Sequence, residues 1–295
     1  MIDASIASNT KDTYNTGLQC FTNFRIVYKL DNIWPPPCSH IVLFVAYLSM
    51  KGKAYKTANC YLSAINFRCK FLEPQNFIDF SKNFIVIKML EGLKRSKNTT
   101  DQRLPITSEL LFKISNVLSS VCSSSYETLL FTTAFSLAFH GFLRVGEIVY
   151  TKLGQEHQIL SLNDVHILEE GGSQFIRLHL KHSKCDQTGK GATVDIQKTN
   201  SKICPVNLLQ SFLTVRSSSN GPLFCHFNGS YVTRYQFSSI LNKSLRVLGI
   251  DSSGYKNHSF RIGGASEWSV NGRSVQDIMK MGRWKSEAYK SYIRC

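Results

Sequence analysis

Residues 257–294 read NHSFRIGGASEWSVNGRSVQDIMKMGRWKSEAYKSYIR and hold most of the side chains to which chemistry can be assigned from sequence. Apolar spacing in this stretch predicts three helices, over residues 259–270, 275–281 and 287–293. His258 and Arg261 are three residues apart, so they would approach one group from the same side of a helix. A guanidinium inside an apolar helix is costly unless it has a partner. The stretch therefore predicts an anionic partner for Arg261.

A second candidate segment lies far upstream, where residues 140–149 read HGFLRVGEIV. Arg144 again places a guanidinium among apolar residues. Glu147 follows about one turn later and can orient a basic neighbour without contacting a ligand itself. His140 is expected to be an ordinary core histidine. Together with residues 257–294, this segment predicts a single cluster of donors that the fold assembles from distant parts of the chain.

The chain of 295 residues is long enough for two domains, each with its own core. We predict a helical domain over residues 1–97, a basic linker over 98–106 and a mixed domain over 107–295. In the first domain, apolar periods separated by prolines predict a small bundle of helices over residues 14–27, 40–50, 54–71 and 84–93.

In the second domain, helical periods surround two strand patterns. The helical periods cover residues 108–118, 127–150, 209–215 and 233–248, in addition to those of the stretch quoted above. Residues 175–182 and 193–196 have strand character, and Gly189 and Gly191 between them predict a hairpin. The predicted fold class is therefore mainly α with a small β-sheet.

The charge balance indicates a polyanionic partner. The chain has 35 Lys plus Arg against 20 Asp plus Glu, a formal charge of +15, and both predicted domains share the excess. Nucleic acid is the commonest polyanion that such a surface binds. The DNA-contact candidates of the first domain flank its third helix or open the basic segment LKRSKNTTDQRLP at 93–105; they are Lys51, Lys53, Lys56, Lys94 and Arg95. The alternatives are a solvated helix face for the lysines of the third helix, and a simple hinge or a weak nuclear-import patch for the basic segment.

Several other classes of protein are excluded or disfavoured. The apolar runs are too short to cross a bilayer, and the amino end has no secretory signal, so no membrane partner is expected. Nine cysteines without a CxxC pair fit reduced thiols in an intracellular protein, which we expect in the nucleus. No phosphate-binding GxxxxGK[ST] loop is present, and the acidic residues match no two-metal pattern. We therefore predict no cofactor and no metal, and a metal-dependent nuclease is the least favoured function.

The strings SFRIGGA and GRWKSEAYKSYIR, together with the upstream Arg144, resemble the tyrosine recombinase or phage integrase family, especially its eukaryotic mobile-element branch. The resemblance covers residues 104–294 and, more weakly, the first domain, which is similar to a SAM-like core-binding domain. It implies a mixed catalytic domain after this DNA-clamping bundle. It also implies that the family's catalytic set corresponds to Arg144, Lys184, His258, Arg261, Trp284 and Tyr292.

The resemblance implies a role for each of these residues. Two arginine forks would donate to the nonbridging oxygens of a DNA phosphate, where charge develops during attack. Tyr292 would be the nucleophile, His258 the proton acceptor, and Lys184 the acid that protonates the leaving 5′ oxygen, with Lys190 as the alternative. Trp284 stands where many relatives have His and can donate only one hydrogen bond. Helical spacing leaves Tyr289 open as an alternative to Tyr292.

The predicted function is therefore a site-specific DNA recombinase or integrase that forms a 3′-phosphotyrosyl bond, without ATP or metal, as a homo-oligomer on duplex DNA. A catalytically inactive DNA-binding protein of the same fold is the alternative. Two features motivate it: the Trp284-to-Tyr292 spacing is one residue shorter than usual in the family, and only three residues follow Tyr292. A relaxing enzyme similar to type IB topoisomerases, which shares the chemistry, is a third hypothesis.

Overall fold

The computed structural model describes residues 6–73, 75, 77–96, 101–181 and 191–294. The chain divides into two compact units, Met1–Thr100 and Asp101–Cys295. The structure is mainly helical with one small antiparallel sheet in the second unit, so the predicted fold class is confirmed. Among the described residues, no helix is both long enough and apolar enough to cross a membrane.

The described part of the first unit contains the four helices that apolar spacing predicted. They are α1 (Ser8–Val27), α2 (Cys38–Met50), α3 (Tyr55–Leu72) and α4 (Phe84–Ser96). The rings of Phe21, Phe24 and Phe44 form the centre of the core, with ring centres between 4.9 and 6.1 Å apart. Gly17 lets α1 and α3 approach closely, because a Cβ there would lie 2.8 Å from the Tyr61 ring.

The second unit is built from helices around the sheet. Its α-helices are α5 (Ser108–Val121), α6 (Ser125–His140), α7 (Val145–Ile148), α8 (Pro205–Val215), α9 (Arg234–Val247), α10 (Ser259–Val270) and α11 (Val275–Gly282). The single helix predicted over residues 127–150 is wrong. The chain leaves α6 after His140 because Phe142 adopts a left-handed backbone conformation, with φ of 46°, and α7 begins only after Arg144.

The sheet has three antiparallel strands in sequence order, β1 (Val165–Glu170), β2 (Ser173–Leu180) and β3 (Ala192–Gln197). The pairing of β2 with β3 is the predicted one, although the connecting residues 182–190 lie outside the described part of the chain. Sequence reasoning missed β1. This edge strand buries only Val165 and ends in two exposed glutamates, so it has no alternating apolar pattern.

α10 packs closely against backbone on two sides because two adjacent glycines face its neighbours. A Cβ on Gly264 would lie 2.4 Å from the Phe139 carbonyl oxygen in α6, and one on Gly263 would lie 1.7 Å from the Ile106 carbonyl oxygen. Ile106 is fully buried, and its N–H donates to the Ser259 carbonyl at 3.0 Å. Residues 101–106, which the sequence assigned to the linker, are therefore part of the second unit.

Candidate functional site

The beginning of α10 positions His258 and Arg261. His258 immediately precedes the helix, and Arg261 lies in its first turn. The Ser259 hydroxyl accepts a hydrogen bond from the Lys256 N–H at 2.9 Å, which fixes the turn that leads into the helix. The buried Nδ1 of His258 has no hydrogen-bond partner among the described residues. His258 therefore keeps one ring nitrogen unengaged by this part of the chain.

Arg261 is fully buried. Its two terminal nitrogens donate to the backbone carbonyls of Phe142 and Gly282. The guanidinium carbon lies 4.4 Å from the Trp284 ring centre and 5.3 Å from that of Tyr292, so both rings cover the cation. Sequence reasoning expected this guanidinium to donate to a phosphate. In the structure it donates to two backbone carbonyls instead, and the two aromatic rings lie against it.

The GRW string forms a sharp corner that brings Trp284 over Arg261. α11 ends at Gly282, and Arg283 takes the left-handed conformation, with φ of 55°. The Trp284 N–H then donates back to the Met279 carbonyl at 2.9 Å. A Cβ on Gly282 would lie 1.8 Å from the indole, so only glycine leaves room for the ring at this position.

Tyr292 is the last residue of a short 3₁₀ helix, Glu287–Tyr292, where an α-helix was predicted. Its ring centre lies 5.0 Å from that of Trp284 and 6.1 Å from that of His258. The Ser266 hydroxyl in α10 donates to the Tyr292 carbonyl at 3.3 Å. Tyr289 packs on the same apolar cluster. Among the described contacts, Tyr292 is the tyrosine whose ring meets both His258 and the Arg261 guanidinium.

Glu147 joins two arginines beside this group. One carboxylate oxygen accepts from Arg144 Nη1 at 2.9 Å, and the other accepts from Arg283 Nη2 at 3.0 Å and from the Arg144 N–H at 2.8 Å. Arg283 Nη2 also donates to the Phe142 carbonyl at 3.0 Å. Since that carbonyl accepts from Arg261 as well, these contacts connect Arg144 to Arg261. The sequence-based expectation that Glu147 orients a basic neighbour agrees with this geometry.

The cluster is strongly electropositive, and this changes the protonation of His258. Burial and the nearby charges of Arg103, Arg261 and Arg144 lower the pKa of His258 to about 4. Burial, followed by the charges of Arg144 and Arg283, also lowers the pKa of Arg261. His258 is therefore neutral near pH 7.

The remaining sequence-predicted residues lie elsewhere. Lys184 and its alternative Lys190 fall outside the described residues. In the first unit, the predicted DNA-contact residues are exposed; they are Lys51, Lys53, Lys56, Lys94 and Arg95. The Lys94 ammonium lies 5.8 Å from the ring centre of Tyr55, the residue before Lys56. The end of α4 and the start of α3 therefore contribute to one basic surface.

Sequence reasoning missed Arg283 and Arg103 as members of the cluster. Arg283 is next to Trp284 in a string that was singled out, but only the left-handed turn shows that its side chain reaches Glu147. Arg103 was assigned to the basic linker. After burial, its charge lowers the pKa of His258 more than any other nearby charge does. The docking of residues 101–106 against the turn before α10 brings Arg103 into this part of the unit.

Comparison with solved structures identifies the fold. The XerH site-specific recombinase bound to a palindromic difH substrate, in a post-cleavage complex, matches with a TM-score of 0.66 and 16% identity, covering 95% of this chain and 75% of that one. The Tn1549 transposon integrase in complex with circular intermediate DNA matches with a TM-score of 0.63 and 12% identity, over 98% and 90% of the two chains.

A lambda integrase dimer bound to a COC′ core site matches with a TM-score of 0.63 and 13% identity, over 98% of this chain and 89% of that one. No protein-family model and no curated protein matches the chain. The chain therefore has the fold of the site-specific tyrosine recombinases and integrases.

Proposed function

We propose that this chain is a tyrosine recombinase that breaks and rejoins duplex DNA through a 3′-phosphotyrosyl intermediate. The observation that carries the proposal is the meeting of Tyr292 with His258, Trp284 and Arg261 in one site of the second unit. These residues come from three separate elements, and the sequence motif alone does not require their rings to be in contact. The neighbouring structures with this fold include complexes of recombinases and integrases with DNA.

The proposed reaction needs a nucleophile, a base and an acid. The Tyr292 hydroxyl oxygen attacks the scissile phosphorus while its proton passes to the neutral His258. The bond from phosphorus to the 5′ oxygen breaks, and Lys184 gives that oxygen a proton. Attack of a 5′ hydroxyl on the phosphotyrosyl bond reverses the step and joins a new pair of ends. Because the covalent bond retains the energy of the broken linkage, no ATP is needed.

Arg144 is the cation that we propose to meet the phosphate directly. Its side chain is 18% exposed, whereas those of Glu147 and Arg283 are 6% and 7% exposed. The Glu147 carboxylate holds it from one side, which reduces the conformational freedom that it would lose on binding an anion. Arg261 acts from behind the Trp284 and Tyr292 rings, where its charge stabilises negative charge that develops on the tyrosine oxygen.

The DNA duplex would contact exposed basic residues of both units. Lys51, Lys53, Lys56, Lys94 and Arg95 are proposed to contact phosphates. Such contacts release counterions, so binding should weaken steeply with salt and carry little sequence information. Assembly as a homo-oligomer on DNA, a nuclear location and origin in a eukaryotic mobile element remain proposals that rest on the sequence resemblance.

A second candidate, a DNA-binding protein of this fold that no longer cleaves, is favoured by the burial of Arg261. Both of its terminal nitrogens donate to carbonyls, and two rings cover it. A direct contact with phosphate would require the Tyr292 or Trp284 ring to move. If cleavage requires that contact and the ring does not move, the protein binds DNA without forming a bond to it.

A nicked suicide substrate separates the two candidates. Its cut strand diffuses away after cleavage and leaves a covalent protein–DNA adduct that denaturing electrophoresis resolves. We expect the wild type and Tyr289→Phe to form the adduct in the presence of EDTA, and Tyr292→Phe to bind the same DNA without forming it. Salt-sensitive binding of the wild type without an adduct would instead support the non-cleaving candidate.

A further inference from the structure

Asp101 joins two arginines that come from opposite ends of the second unit. One carboxylate oxygen accepts from Arg103 Nε at 2.8 Å, and the other accepts from Arg103 Nη2 at 2.6 Å. The second oxygen also accepts from Arg294 Nη2 at 2.9 Å. Asp101 and Arg103 side chains are each 33% exposed, and that of Arg294 is 25% exposed. The short segment that begins the second unit is thus tied directly to the segment that follows Tyr292.

The segment that carries Asp101 is itself fixed against the turn before α10. The Leu104 N–H donates to the Gly254 carbonyl at 2.9 Å, and the Ile106 N–H donates to the Ser259 carbonyl at 3.0 Å. Gly263 gives the Ile106 carbonyl the room that it needs. Asp101 therefore projects from a backbone that cannot shift without disturbing the start of the helix that His258 precedes.

The segment that carries Tyr292 has two anchors. The first is the Ser266 hydroxyl of α10, which accepts from the Arg294 N–H at 2.8 Å and donates to the Tyr292 carbonyl at 3.3 Å. The second is the pair between Asp101 and Arg294. One anchor holds the backbone on both sides of Ile293, and the other holds the Arg294 side chain. Together they limit how far Tyr292 can move away from Trp284.

We infer that Asp101 is a positioning residue for the reaction proposed above, which fastens the Tyr292 segment through Arg294 and holds the Arg103 guanidinium by a two-point ion pair. Its catalytic part, that Asp101 affects the rate of attack by Tyr292, rests on the proposed function. Its anchoring part, that Asp101 restrains the Tyr292 segment, rests on the contacts alone. The electrostatics agree with this placement, because the Arg103 charge lowers the pKa of His258 and the Tyr292 phenol contributes to raising the pKa of Arg103.

The expected effect is on rate more than on stability. Ion pairs that are partly exposed contribute little to folding. A displacement of about 1 Å between reacting groups can lower a rate about a hundredfold. Loss of the Asp101 carboxylate should therefore leave the second unit folded and slow the attack by Tyr292.

The test compares Asp101→Asn with Asp195→Asn. Asp195 is a matched control because it also makes a two-point pair with an arginine, Arg177, at 2.8 Å for both contacts, between β2 and β3. We expect Asp101→Asn to slow single-turnover adduct formation tenfold or more on saturating DNA, with the dissociation constant for DNA changed less than about twofold. Asp195→Asn should retain the wild-type rate. Equal rates for the two variants would overturn the catalytic part.

Arg294 provides a conservative rescue. Arg294→Gln should slow adduct formation as Asp101→Asn does, whereas Arg294→Lys should retain most of the rate because Arg294 makes only one contact with Asp101. If Arg294→Lys and Arg294→Gln formed the adduct equally slowly, loss of the charge contact with Asp101 would not explain the reduced rate.

Hydrogen exchange measured on peptides that cover residues 287–294 tests the anchoring part without any reaction. Asp101→Asn should speed exchange in these peptides relative to the wild type and to Asp195→Asn. This readout remains valid if no adduct forms with the wild type, so failure of the proposed function and failure of the anchor give different results. Unchanged exchange would overturn the anchor even in an active enzyme.

Discussion

Gly263→Ala tests the packing that positions the site. A Cβ at this position would lie 1.7 Å from the Ile106 carbonyl oxygen and 2.7 Å from its carbonyl carbon. Ordinary contact begins near 3.4 Å, so the backbone at Ile106 would have to retreat by about 1.7 Å, the difference between the two distances. Both Ile106 atoms that the new Cβ would meet belong to the main chain, so no change of rotamer can relieve the overlap. The substitution must therefore separate residues 101–106 from α10.

The expected loss of stability is about 2 kcal/mol. Overpacking in a close-packed interior costs about 1–3 kcal/mol. The retreat of Ile106 also weakens its hydrogen bond to Ser259, a contact whose net contribution is about 1 kcal/mol. Alanine regains about 1 kcal/mol over glycine inside a helix. The overlap outweighs this gain, and for a unit of this size the net loss lowers Tm by about 4–8 °C.

Calorimetry of the whole chain measures this shift, with Gly146→Ala as the control in the same unit. A Cβ at Gly146, in α7, would lie 3.5 Å from a Thr151 methyl group, which is an ordinary contact. The control should therefore keep Tm within about 2 °C of the wild type or raise it slightly. If Gly263→Ala were as stable as the control, the close approach of Ile106 to α10 would be wrong.

Two further predictions concern the charged cluster. In an NMR titration of the imidazole, His258 should change protonation near pH 4, since burial and nearby arginines disfavour its charged form, and an NMR midpoint near 6.5 would contradict the arrangement. Because the unfolded chain binds this proton at higher pH, the second unit should also lose stability as pH falls from about 6.5 towards 4. Glu147→Gln leaves Arg144 and Arg283 without their shared anion and should destabilise the second unit by about 3–5 kcal/mol in denaturant unfolding. The control Glu287→Gln removes an exposed pair with Lys290 and should change stability by less than about 1 kcal/mol. Similar losses of stability in the two variants would refute the buried network.

The fold could be predicted from sequence wherever apolar spacing was regular. The four helices of the first unit and the pairing of β2 with β3 were predicted because each buries one face, so the period of the core contacts is present in the sequence. β1 was missed because an exposed edge strand has no such period. The break after α6 was missed because the left-handed conformation of Phe142, unusual for a bulky residue, depends on tertiary contacts.

Several residues of the candidate site were selected from the sequence, but Arg103, Arg283 and many of the contacts were not. His258, Trp284 and Tyr292 were selected by motif and do meet in the structure. The burial of Arg261 depends on where the carbonyls of Phe142 and Gly282 point, which no residue type specifies. In the sequence, Arg103 belongs to a polar segment that we assigned to the linker. Its place in the second unit depends on the docked backbone of residues 104–106, which the sequence does not show.

One helix sets the spacing of three points in the site. His258 precedes α10, Arg261 lies in its first turn, and Ser266 holds the Tyr292 segment one turn further along. At about 1.5 Å per residue, helix pitch alone fixes these three points along an axis of roughly 12 Å. The spacing of these three points is thus set by backbone geometry that every α-helix shares. The surrounding sequence can therefore vary without changing these separations along α10, as long as the residues stay helical.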